Sequence, residues 1–312
     1  MQAQPTTTHR RHHQRGLTLV ELMVAMAVSL LLLAALTAVF INSNSARREI
    51  DLSAEVMENG RYASDVLGRE LALTGFYGTL VAVPGNTLDL SKLCSSALAD
   101  WTDSLGMPVF GVLDTDAKPS CLASRKSGTD AIFVQRVSTC AVGETGCAAE
   151  SNNFAYLQVS ECGTEYGTTP FVLATGGSGS GTFTLQNKTC SAAGTAPRRK
   201  LIRRVYYVSA DNQLSYQEIG LSTNPAPVVL VDGIEDLQIS YGIDGNADGS
   251  IDEFKPAPTG AEWTNVIGLR VGVQALSSSP SRQTQPGTTD NLKRRVYNTF
   301  IPFEAPTLKR QS

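Results

Sequence analysis

The chain has 312 residues, with 26 basic and 29 acidic side chains and a formal net charge of −3. Its hydrophobic content of 42% suits a folded chain with a sizeable core, and the excess of acid speaks against nucleic acid as a partner. All three histidines, His9, His12 and His13, lie before Gly16, so a chain shortened there has none, which excludes Ser-His-Asp and Cys-His catalysis and the commonest metal ligand.

Residues 1–16 form a basic, hydrophilic leader with Arg10, Arg11 and Arg15, and losing them moves the net charge from −3 to −6. Positive flanks of this kind resist translocation and stay cytoplasmic. Residues 17–41 then run apolar with Glu21 as their only charge. An ordinary secretory signal has an apolar core of roughly 7–15 residues before a small-residue cleavage site, whereas this one is long enough to span a bilayer and is expected to be retained. An ionised carboxylate within it costs on the order of 3 kcal/mol, so Glu21 requires something that neutralises it.

Over 42–75 the pattern turns amphipathic without a stop. Leu52, Val56, Ala63, Val66, Leu67 and Leu71 recur at helical spacing among Arg47, Arg48, Glu49, Glu55, Glu58, Arg61 and Arg69. One continuous helix from Leu17 to about Thr74 is predicted, with Gly75 as its C-cap and Gly60 and Gly68 as weak points. Tyr62, Val66 and Leu71 read as packing residues.

Residues 76–200 shift to Gly, Ser, Thr and Cys, with short runs at 131–137, 154–160, 171–175 and 182–187 read as strands. The six cysteines, Cys94, Cys121, Cys140, Cys147, Cys162 and Cys190, all fall here. Their even number favours disulfides in an oxidising compartment, and the lack of any CxxC pair disfavours zinc. Sequence does not select among the pairings; the sequential one, 94 with 121, 140 with 147 and 162 with 190, is the expectation adopted. TGGSGSG at 175–181 is a loop rather than a phosphate cradle, lacking the P-loop spacing and its Lys.

Residues 201–312 are more regular. LIRRVYYVSADNQLSYQEI, PVVLVDGIEDLQISYGID, EWTNVIGLRVGVQAL and RRVYNTFIPF alternate as antiparallel strands do. The basic run Arg198, Arg199, Lys200, Arg203 and Arg204 reads as a solvated strand edge protected by charge, with DNA phosphate as the alternative. Lys293, Arg294 and Arg295 read as surface charge at a strand start. Carboxylate pairs such as Asp252 with Glu253 come with no nucleophile, oxyanion hole or cleft, so no enzyme is expected.

In DGNADGSIDE, residues 244–253, Asp244, Asn246, Asp248, Gly249, Ser250 and Asp252 follow positions 1, 3, 5, 6, 7 and 9 of a calcium loop. Position 12, normally a bidentate Glu, is Lys255. Calcium is the candidate ligand, with Asp252 or Glu253 closing the shell; the competing reading is an Asp/Asn/Gly turn between strands.

The residues GLTLVELMVA resemble the class III leader of type IV prepilins. The resemblance implies a cut between Gly16 and Leu17, with Glu21 as the fifth mature residue and the new N-terminal amine of a neighbouring subunit as its counter-ion. Leu17 stands where that family usually has a methylated Phe. ENGRYASDVLGRELALTGFYG, residues 58–78, and the C-terminal runs with Arg204 to Tyr207, Leu214, Ile234 to Tyr241, Trp263 and Arg294 to Tyr297 are similar to the minor pilin W family, PilW. That family often carries Cys where Thr79 stands here.

The resemblance implies an α+β pilin-like fold, a long N-terminal helix packed on an antiparallel sheet head with disulfides. It also implies processing by prepilin peptidase, a single-pass inner-membrane anchor with a periplasmic head, and incorporation into a type IV pilus at its tip. Its implied partners are other minor pilins, the major pilin, a tip adhesin and the inner-membrane assembly platform. Two alternatives remain: a J-type pseudopilin of type II secretion, and a membrane-anchored calcium-dependent adhesin.

Overall fold

The computed structural model describes residue 16 and residues 18–81, 83–85, 87–178, 181–283 and 289–304. Most of the leader, Leu17 and the last eight residues lie outside the described set. The chain divides into two compact units, Met1–Asp51 and Leu52–Ser312.

An unbroken α-helix, α1 (Leu19–Ala72), runs through the unit boundary. In the first unit its residues 19–44 are all exposed, and this stretch is long and apolar enough to cross a membrane. The second unit holds the remainder, where Leu52, Val56, Ala63, Val66, Leu67 and Leu71 are buried as their spacing requires. Tyr62, expected to pack, is 51% exposed, because its position falls off that stripe. The helix ends close to the expected Gly75, which takes a left-handed φ of 76°. Its amide then donates to Gln135 O at 3.0 Å, leading the chain out of the helix and onto a strand.

The second unit also contains the short helices α2 (Leu98–Asp103) and α3 (Gly163–Tyr166) and eleven strands. These are β1 (Val109–Val112), β2 (Ala131–Val137), β3 (Ala155–Val159), β4 (Phe171–Thr175), β5 (Arg198–Val208), β6 (Gln213–Glu218), β7 (Val228–Asp232), β8 (Ile234–Ile243), β9 (Glu253–Lys255), β10 (Val266–Leu276) and β11 (Arg294–Pro302). Two antiparallel sheets result. One has the order β1-β2-β5-β3-β4 with β6 and β7 added beside β5, and the other is β11-β10-β8-β9. A common core joins both sheets to the second half of α1.

One sheet from the C-terminal runs would have been simpler. The run 227–244 is instead broken at Gly233, whose φ of 68° needs a residue without a side chain, and it feeds β7 to one sheet and β8 to the other. A boundary at residue 200 does not separate two bodies, since β5 straddles it and pairs with β2 and β3 from the Cys-rich part and with β6 beyond.

The 182–187 run is not a strand. Leu185 N donates to the Gln158 side chain at 3.1 Å and Gln186 N to the Glu165 carboxylate at 2.7 Å, so side chains supply the acceptors a neighbouring strand would have provided. Among these residues only an isolated bridge, Gln186 to Thr195, remains.

The three disulfides are Cys94–Cys121, Cys140–Cys147 and Cys162–Cys190, the sequential arrangement. They tie down the segments of 94–190 that lie between the short strands of the first sheet.

Candidate functional site

The apolar start of α1 opens on a reciprocal cap. Thr18 donates both its backbone N–H and its hydroxyl to Glu21 Oε2 at 3.1 Å, and Glu21 N donates back to Thr18 Oγ1 at 3.2 Å. This is the T-x-x-E capping box, which satisfies helix-end donors that would otherwise stay unpaired, and it sets a negative charge at the positive end of the helix dipole. The signal stood in the sequence as Thr18 three residues before Glu21, but an account of Glu21 in terms of a partner subunit passes over it.

The cap changes the energetics of the carboxylate. An acid in an apolar medium is penalised most when its hydrogen bonds go unmade. Here one oxygen already accepts two. Other polar side chains in the span are handled the same way: Ser29 and Thr37 donate to Ala25 O and Leu33 O, each at 2.7 Å, so no new acceptor is needed. Gly16 is exposed, and Leu17, the other half of the expected cut, lies outside the described residues.

In the second unit a different acid organises the helix. Glu70 Oε2 accepts from Arg136 Nη2 at 3.2 Å, Arg204 Nη1 at 3.1 Å and Tyr206 Oη at 3.0 Å, tying α1 to β2 and β5. Burial works to raise the Glu70 pKa, but the two guanidiniums outweigh it and hold it below the ordinary carboxylate range. Arg204 also pairs with Glu218 at 3.4 Å, and Lys200 reaches the same residue at 2.5 Å.

The basic run of β5 is therefore not a solvated edge. β5 lies inside the sheet, and the charges are used internally: Arg198 pairs with Glu150 at 2.8 Å, Arg199 donates to Thr139 O, and Arg203 is fully buried. Tyr206 and Tyr207 are each 1% exposed and present no face to a base. Sequence reasoning missed this because the neutralising acids, Glu70, Glu150 and Glu218, come from three distant segments. Arg294 is likewise committed, to Glu235 and to Asp290, each at 2.6 Å, while Lys293 reaches Ser53 Oγ at 2.7 Å.

The 244–252 loop joins β8 to β9. Asp244, with no exposed surface, accepts from Asp248 N at 3.2 Å and Gly249 N at 3.0 Å. Asn246 Oδ1 accepts from Asp248 N at 2.9 Å, Asp248 Oδ1 from Ser250 N at 2.7 Å, and Asp252 Oδ2 from Gly245 N at 2.8 Å. Most of these side-chain oxygens thus hold the turn itself. Lys255, at the twelfth position, is ion-paired with Glu253 at 2.9 Å and Glu262 at 2.5 Å. Among the described residues, three metal-ligand atoms of His, Cys, Asp or Glu come together only at Cys140, Glu144 and Cys147, two of which are a disulfide.

Residues 11–37 match the prokaryotic N-terminal methylation motif. Residues 180–304, from the approach to β5 through β11, match the type IV pilus-assembly protein W model, PilW. A region similar to the PilW domain thus lies behind a match to the N-terminal methylation motif. That region contains both the basic strand that binds Glu70 and the whole of the second sheet, which accounts for the regularity of its sequence. In structure the chain is similar to a type IV-like pilin, TTHA1219 from Thermus thermophilus, at 14% identity over 84% of this chain and 97% of that one, with a TM-score of 0.35. No curated protein is significantly similar to it in sequence.

Proposed function

We propose that this protein is a minor pilin that helps prime assembly of a type IV pilus and sits at its tip. The observation that carries the reading is the joint presence of the methylation motif and the PilW domain on one chain, which makes a pilus-related role the common denominator. Prepilin peptidase cuts between Gly16 and Leu17, the apolar span holds the subunit in the inner membrane with its head in the periplasm, and the assembly platform passes it to the fibre. Its neighbours there are other minor pilins, the major pilin and a tip adhesin. A head of more than 200 residues favours the end of a fibre, where fewer neighbours crowd it than in a regular shaft.

A deletion strain scored for surface pili and for secreted enzymes tests this reading. Lost piliation with normal secretion is the expected result. Lost secretion with normal pili would assign the protein to a type II secretion apparatus, and normal pili with lost attachment would make the head an adhesin. Mass spectrometry of the processed chain is expected to give Leu17 as the first residue; an intact leader overturns the processing step.

Calcium at the 244–252 loop is a subordinate proposal. With closure by a bidentate Glu missing, affinity in the roughly 10⁻⁴–10⁻³ M range of weak extracellular sites is expected. Millimolar calcium should then raise the melting temperature of the wild type and not of Asp248→Ala, and an unchanged wild type removes calcium from the account.

A further inference from the structure

Arg203 precedes Arg204 on β5 but takes no part in the network around Glu70. Its side chain is fully buried on β5, and its guanidinium carbon lies 4.8 Å from the centroid of Trp101 and 4.9 Å from that of Phe133. Nε, Nη1 and Nη2 have no hydrogen-bond acceptor among the described residues. Asp100 is near enough to be felt electrostatically, but its carboxylate is taken by Ser95 Oγ at 2.5 Å and by Lys92 at 3.8 Å. Gln135 sits beside Arg203 in the strand register; its amide nitrogen is spent on Ser104 O and Met107 O, and its buried Oε1 accepts no hydrogen bond from Arg203. Thr74, next to the residue that bonds Gln135 O, is also fully buried, and its hydroxyl has no partner.

The two rings satisfy part of the charge, since cation–π contacts strengthen when desolvated. They do nothing for five N–H donors. Burial outweighs the opposing pull of Tyr77 and Asp100 and lowers the guanidinium to about 9. A neutral water molecule would accept hydrogen bonds but leave the positive charge uncompensated, and an uncompensated buried ion is strongly destabilising. Donors in excess, one net positive charge and complete enclosure together select a small anion taken up as the head folds.

We propose that Arg203, walled by Trp101 and Phe133, binds one monovalent inorganic anion of halide size, chloride under ordinary conditions, as a structural ligand of the head.

The test uses the full chain in detergent, dialysed into sodium gluconate, whose anion is too large to be enclosed. Bromide is added at constant ionic strength while tryptophan fluorescence is followed. The chain has two tryptophans, and Trp101 has no exposed surface, so free bromide in solution cannot collide with it. Bound bromide beside Arg203 is expected to quench it saturably, and chloride is expected to reverse the quenching. Above the dissociation constant, each tenfold rise in halide should raise the folded-to-unfolded ratio about tenfold. Arg203→Met should abolish both responses. Quenching that is absent, or that grows without saturation and ignores chloride, overturns the proposal, and this holds on the wild type alone should Arg203→Met fail to fold.

Discussion

At the scale of single residues, two glutamates do different work on one helix. Glu70 has three donors on a single oxygen, so replacing it by Gln leaves two largely buried guanidiniums facing a neutral amide. The expected loss is roughly 1–3 kcal/mol, measured by denaturant unfolding of the two proteins at neutral pH. Because its folded pKa lies below the unfolded value of about 4.3, this contribution is fully present above that pH and is lost as pH falls through the lower folded value. The wild type and Glu70→Gln should therefore converge in stability in acid; curves that stay parallel down to the acid transition would remove the ion pairs as the cause. Glu21 can be dissected similarly. Gln at position 21 retains an acceptor for the capping box but carries no charge, whereas Val loses both. If charge governs assembly, both variants should be cleaved normally and both should be poorly incorporated into pili. Normal incorporation of Glu21→Gln would assign Glu21 to the cap alone.

At the scale of elements, the two glycines of α1 separate cleanly. A Cβ at Gly60 would fall 2.1 Å from the Tyr297 ring, whereas at Gly68 it would meet nothing within 4 Å. Gly68→Ala is expected to stabilise the protein by up to about 1 kcal/mol, from helix propensity. Gly60→Ala should destabilise it, since the ring of β11 must leave the helix; thermal melts that rise for both would show Tyr297 to be freely displaced. Much of this element-level organisation was legible beforehand. A short, largely apolar run gave 131–137, alternation gave the C-terminal strands, and the 3.6-residue stripe gave the buried face of α1. What escaped was structure whose cause lies elsewhere in the chain: β1 is four residues long and forms only because β2 offers an edge, and 182–187 is diverted by Gln158 and Glu165. The capping box was readable but competed with a more conspicuous explanation of the same acid. The placement of Arg203 was not readable, because nothing local says that a strand written RRKLIRR lies in the middle of a sheet.

At the scale of the whole molecule, the head depends on oxidation. Its disulfides close separations of 27, 7 and 28 residues. In the chain-entropy account the short bridge constrains the unfolded state less than either long one, by roughly 1 kcal/mol. Replacing Cys140 and Cys147 together should accordingly lower the melting temperature less than replacing Cys162 and Cys190. The opposite order would point to native contacts, rather than chain connectivity, as the source of the stabilisation.

The capping box of α1 also bears on what proteolysis does to the subunit. Scission at the Gly16–Leu17 bond would fall just upstream of Thr18, so the first hydrogen-bonded turn passes unaltered from precursor to product. Maturation would then expose a fresh cationic terminus one residue before Thr18 and four before an already rigid carboxylate, and no refolding of the rod need precede its docking against another subunit.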